Sequence, residues 1–103
     1  MKYSSNYGKL YKPYYTTIRR YSKGKMGDFV KEIYPNGVHS AQILRVERKT
    51  LNEITTEFLL ADTDCKTRKE AIRLIESFYK KPIDRQREKL YIYYLQKIKY
   101  KRK

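Results

Sequence analysis

Lysine and tyrosine alternate closely near the start of this chain, as in Lys9-Leu10-Tyr11-Lys12, and the two side chains together have a defined chemistry. A lysine ammonium or arginine guanidinium neutralises a phosphate and releases its counterions. A tyrosine ring stacks on an unpaired base, and its hydroxyl bonds a phosphate or a 2′-OH. Residues 1–27 carry Lys2, Lys9, Lys12, Arg19, Arg20, Lys23 and Lys25 and no acid. Residues 28–80 hold nine bases and nine acids, and residues 81–103 hold nine bases against Asp84 and Glu88. The formal net charge of +14 therefore belongs to the two ends. Tyrosine follows the same map: six of the 12 lie in residues 1–21, five between Tyr79 and Tyr100, and only Tyr34 between those groups. The expected RNA contacts at one end are Lys2, Tyr3, Tyr7, Lys9, Tyr11, Lys12, Tyr14, Arg19, Arg20, Lys23 and Lys25. At the other they are Lys97, Lys99, Tyr100, Lys101, Arg102 and Lys103. The competing expectation is a solvated, solubilising surface with tyrosine as strand filler.

Other chemistries find little support. His39 is the sole histidine and Cys65 the sole cysteine, so no metal site, internal disulfide or standard catalytic triad is expected. Cys65 lies beside Lys66 and Arg68, which favour a thiolate, but a lone thiol reads as structural. Gly24, Gly27 and Gly37 lack the spacing of a phosphate-binding loop, and no cofactor is expected. An unpaired cysteine fits a reducing cytoplasm. MKYSSNYGKL has no apolar run of the signal-peptide kind, and no stretch approaches membrane-spanning length. The basic ends also lack the Trp, Phe and Leu stripe of a helix that lies on a membrane.

The elements that must position these residues read as strands first, helices next and a closing strand. Tyr14–Tyr21, Asp28–Tyr34 and Val38–Arg48 are rich in β-branched and aromatic residues. A hairpin is expected across Asn36-Gly37. Glu53–Leu60 reads as a short helix with Phe58, Leu59 and Leu60 inward. Thr67–Lys80 is the clearest helix: Thr67 and Glu70 have capping-box spacing, Ala71, Leu74, Ile75 and Phe78 share a face, and Pro82 ends it. Leu90–Ile98 returns to strand, with Leu90, Ile92, Tyr94 and Ile98 on one face and Tyr91, Tyr93 and Leu95 on the other. The expected organisation is a basic N-terminal arm (1–11), one α+β domain (12–98) and a basic tail (99–103), without repeats or linkers.

Thr17-Ile18-Arg19, Gly27-Asp28, Ile43–Thr50, Leu51–Thr55, Glu70–Tyr79 and Leu90–Ile98 occur in the order of a known pattern. Over residues 12–98 this order resembles the ASCH family of PUA-like β-barrels. The resemblance implies a small barrel with one or two flanking helices. It implies one of two roles, because PUA-like barrels are commonly RNA-binding modules and some small ASCH proteins are amidohydrolases that deacetylate 4-acetylcytidine. Those enzymes use a Lys, a Thr and a Glu, with the Lys three residues before the Thr. Thr17 matches the nucleophile and Asp62 falls near the acid, one methylene shorter. The Lys position is held by Tyr14, and Lys12 lies two residues further back, about 6–7 Å along a strand. A threonine hydroxyl needs an adjacent base, and a phenol with an ordinary pKa of about 10 is a poor substitute for a desolvated amine. The resemblance thus implies Lys12, Thr17 and Asp62 as candidates if the protein is an enzyme, and leans against catalysis.

The first expectation is accordingly an RNA-binding structural component of a ribonucleoprotein such as the ribosome, with no obligate homo-oligomer. The alternatives are the amidohydrolase and an accessory or inhibitory protein associated with nucleic acid.

Overall fold

A computed structural model describes residues 1–98. Strands β1 (Tyr14–Arg19), β2 (Phe29–Tyr34), β3 (Gly37–Lys49) and β4 (Leu90–Ile98) form one antiparallel sheet in the order β1-β4-β3-β2. Between β3 and β4 the chain forms α1 (Thr56–Thr63) and α2 (Arg68–Ser77). Short 3-10 turns, Gly8–Tyr11 and Leu51–Glu53, precede β1 and α1. The class is α+β. The expected barrel is not what forms: the sheet is open, with β1 and β2 at opposite edges. The tail 99–103 lies outside the described residues.

Local chemistry explains where elements differ from expectation. Tyr34 pairs with Gly37, so Pro35-Asn36 is the hairpin loop rather than Asn36-Gly37. Neither Asn36 nor Gly37 has a positive φ, which excludes the primed turn that Asn-Gly favours. Pro35 decides this, because its ring presets the φ of a first central turn position. The first helix starts later than expected, at Thr56. Glu53 instead serves the preceding turn, where its carboxylate accepts from the Thr50 backbone N–H (2.9 Å). Thr55 then caps α1 by accepting from the Phe58 N–H (3.3 Å), and Asp64 ends it in the left-handed region at φ 60°.

The second helix begins as expected. Thr67 Oγ1 accepts from the Glu70 N–H at 3.2 Å. Its buried face is Ala71, Ile72 and Ile75, whereas Phe78 is exposed. Thr67→Ala should lower stability by about 1 kcal/mol, since an orphan helix N–H loses its acceptor. A urea unfolding curve checks this, and an unchanged midpoint would mean water replaces the cap at no cost.

Alternation along β4 divides the core. Ile18, Leu90 and Ile92 pack under the helices against Leu59, Ile72 and Ile75. Tyr15, Ile43, Tyr93 and Leu95 face the other way and are covered by Tyr3 and Leu10. A bulge between Ile43 and Arg45 leaves Leu44 unpaired and lets Ile43 and Val46 both face that second cluster. Residues 1–11 are thus not a free arm. Tyr3 N–H donates to Ile33 O and Ile33 N–H donates to Met1 O, both 2.8 Å, so the segment lines the outer edge of β2. Burying Tyr3 and Leu10 is what holds it there.

Candidate functional site

The free edge of β1 borders a cavity of about 370 Å³. The N-terminal segment forms one wall with Tyr3, Tyr7 and Lys9, and β1 contributes Thr17 and Arg19. Asp62 enters from α1, and Phe78 and Tyr79 from the end of α2. Gly8 N–H donates to Asp64 Oδ2 at 2.8 Å, which ties the first 3-10 turn to the end of α1. That tie carries Lys9 inward.

Lys9 Nζ donates to Asp62 Oδ1 at 2.9 Å, and the two residues are only 7% and 6% exposed. Thr16 Oγ1 donates to the same oxygen at 3.0 Å. Burial pulls the Lys9 ammonium below its ordinary value, while the Asp62 carboxylate works to keep the proton on. Lys9 also lies 5.5 Å from the Tyr3 ring centre and 5.6 Å from that of Tyr7. Arg19 stacks on Tyr3 at 4.7 Å and donates through Nε to Thr17 Oγ1 at 3.3 Å. Among the described residues no carboxylate pairs with Arg19. The cavity therefore offers aromatic rings, a hydroxyl and a guanidinium not paired with a carboxylate, the groups that hold a base and a phosphate.

Behind the cavity wall lies a second polar cluster. Glu32 is fully buried on β2. Its Oε1 accepts from Tyr3 OH (2.9 Å) and Tyr15 OH (2.8 Å), and its Oε2 pairs with the Met1 ammonium (2.9 Å). Burial first, and the Glu32 charge second, hold both phenols protonated far above their ordinary value. Tyr15 OH also meets His39 Nε2 at 2.7 Å. The Tyr15 proton is committed to Glu32, so His39 Nε2 carries the hydrogen and donates. His39 Nδ1 then accepts from Tyr34 OH at 3.3 Å.

Burial lowers the His39 pKa, Lys97 and the terminal ammonium lower it further, and Glu32 opposes them. The folded value thus lies below the unfolded one of about 6.5. In that window the unfolded chain binds more protons, so stability is complete above about pH 6.5 and falls as pH drops through it. Urea midpoints at about pH 7.5 and 5.5 should show this decline, and His39→Gln should flatten it. An equal decline in the variant would assign it to other groups.

The sequence-expected residues divide into three sets. Lys2, Tyr11, Lys12, Tyr14, Lys23 and Lys25 are exposed, and Tyr7, Arg19, Arg20 and Lys97 half-buried. Tyr3 and Lys9 are buried, a correction to their expected role as free RNA contacts: Tyr3 is committed to Glu32 and Lys9 to Asp62. Arg20 is also engaged, bonding Glu88 and the carbonyls of Lys81 and Pro82. Lys99, Tyr100, Lys101, Arg102 and Lys103 lie outside the described residues. Of the candidate triad, Thr17 and Asp62 do line one cavity, but Lys12 does not. Lys12 precedes Pro13 ahead of the strand, so the facing expected from strand geometry does not apply to it. Lys9 supplies the amine instead. Nothing local in the sequence marks Lys9, because its partner stands 53 positions away.

The chain is 35% identical over 88 residues to "Uncharacterized protein MJ0364" of Methanocaldococcus jannaschii, a match that covers 76% of this chain and 77% of that one. It belongs to that protein's family. No protein-family model matches the chain, and no solved structure matches it. No described helix is long and apolar enough to cross a membrane.

Proposed function

We propose that this is an RNA-binding protein, part of a cytoplasmic ribonucleoprotein such as the ribosome, that seats one nucleotide in the cavity beside β1. The observation that carries this reading is the cavity itself. Its 370 Å³ falls within the range of small-molecule sites, its walls include the rings of Tyr3, Tyr7, Tyr21, Phe78 and Tyr79, and Arg19 has no carboxylate partner among the described residues to compete with a phosphate. The net charge of +14 attracts a polyanion to it. The motif order that resembles the ASCH family supports the same reading.

A second reading, an amidohydrolase acting on acetylated cytidine, is favoured by one arrangement. Lys9, Thr17 and Asp62 line the same cavity, with an amine that burial holds below the ordinary lysine range.

The two readings separate in one set of measurements. Fluorescence anisotropy with a labelled single-stranded RNA should show binding that weakens with salt, each neutralised phosphate contributing about −0.7 to the log–log slope. Arg19→Ala should reduce that slope and the affinity. In parallel, 4-acetylcytidine incubated with the protein should yield no acetate. No RNA binding would sink the first reading, and acetate release that Thr17→Val abolishes would establish the second. Sucrose-gradient sedimentation of cell extract tests the ribosomal assignment, which co-migration with free small RNA alone would refute.

A further inference from the structure

One end of the helix-side face of the sheet is left bare by the described residues. Among the described residues the helices cover the end at Ile18, Leu90 and Ile92, and the N-terminal segment covers the opposite face. The uncovered end carries a continuous row across all four strands. Phe29 on β2 pairs with Gln42 on β3, Gln42 with Gln96 on β4, and Gln96 with Tyr14 on β1. Directly paired residues project from the same face, and the Gln96 amide, 3.4 Å from Tyr14 OH, agrees with this. The two rings at the ends of the row are unusually open, Phe29 at 69% and Tyr14 at 61% exposure. Three strand spacings separate them, about 14 Å.

We infer that this row is a docking track for single-stranded RNA, in which bases stack on Phe29 and Tyr14 and the two glutamines meet base edges between them. The inference rests on the RNA-binding reading and extends it to a surface separate from the cavity.

Three observations choose this occupant. A glutamine amide offers both a donor and an acceptor, as base edges require. Gln42 donates one hydrogen to Gly27 O at 3.3 Å and keeps its carbonyl uncommitted among the described residues. Cations flank the row: Lys31 is exposed in the next row on one side, and on the other lies Arg45, 66% exposed, which stacks on Tyr94 at 5.5 Å and approaches Glu47 at 3.5 Å. A second copy of the chain fits poorly, because pairing two bodies of +14 is repulsive. An acidic peptide would place its carboxylates over a row that holds no cation. Flat, uncharged rings flanked by phosphates match an aromatic row flanked by bases.

The test uses a labelled oligouridine of about ten nucleotides, within the site sizes of small single-strand binders. Phe29→Ala and Tyr14→Ala should each weaken binding at least about fivefold, with the salt slope unchanged because stacking releases no counterion. Arg19→Ala, at the cavity, should instead alter that slope. Both track side chains are largely in solvent, and unchanged urea midpoints would confirm that the variants are folded. If the wild type binds RNA and the double variant binds within twofold of it, the track is refuted while the RNA reading stands. If the wild type binds no RNA, both fail. Sedimentation showing a dimer that Phe29→Glu dissolves would also overturn the track, by assigning the face to self-association.

Discussion

Asp62→Ala should lower the unfolding free energy by about 3–5 kcal/mol, the largest loss expected from any single side chain here. Deleting the carboxylate removes the partner of an ammonium that is almost wholly out of water. Lys9 must then stay charged and unpaired, release its proton, or swing outward and take the first 3-10 turn with it. Thr16 loses the acceptor of its hydroxyl as well. The sign of the pH dependence follows. An unpaired buried lysine has a folded pKa further below its unfolded value of about 10.4, so the variant should regain stability as pH rises toward that value. Replacing both partners, Lys9→Met with Asp62→Leu, should recover most of the loss, because a well-packed apolar pair often equals a buried ion pair. Urea unfolding of the three proteins measures each quantity. A single-variant loss under about 1 kcal/mol would mean that water reaches Lys9 freely, and the cavity wall would then be far looser than described.

The second large effect belongs to Glu32. Glu32→Ala strips two buried phenols and an ammonium of one shared acceptor. Leaving such groups unpaired costs about 1–3 kcal/mol for each neutral donor and more for a charge, and since such terms are not additive within one network, a loss comparable to that of Asp62→Ala is expected. Glu32→Gln keeps an acceptor oxygen and should restore part of the difference. Hydrogen exchange gives a more local readout. In Glu32→Ala the Tyr3 and Ile33 amides should lose protection while Ile92, under the helices, keeps its own. Equal loss at both would show that the two sides of the sheet open together.

Several elements were legible because their signals are local. Thr67, Glu70 and the apolar spacing after them announce α2, and alternation along Leu90–Leu95 correctly divides the two faces of β4. Pro35-Asn36-Gly37 marks a turn, although its register depends on which residue occupies the first central position. The N-terminal segment was not legible. Its lysines and tyrosines have no period, and charge alone reads as a solvated arm. What folds it is a set of distant partners: Ile33 for its backbone, Glu32 for Tyr3, Asp62 and Asp64 for the turn at Gly8 and Lys9. The candidate site suffered the same way. Thr17 and Asp62 were found, but the amine beside them comes from an element that sequence periodicity cannot place. The row of Phe29, Gln42, Gln96 and Tyr14 was invisible too, since it exists only once four strands are in register.

The strand order also sets a timetable. β4 follows every other described element in the chain, yet it sits inside the sheet between β1 and β3. Tyr14 at the start of β1 waits for Gln96. Until β4 emerges, β1 has no strand neighbour and the second edge of β3 stays unpaired. A nascent chain released before Leu90 would expose two unfinished edges and the apolar faces that β4 normally separates. Such a protein gathers its sheet late and all at once, at the slow pace that contacts between distant parts of a chain impose.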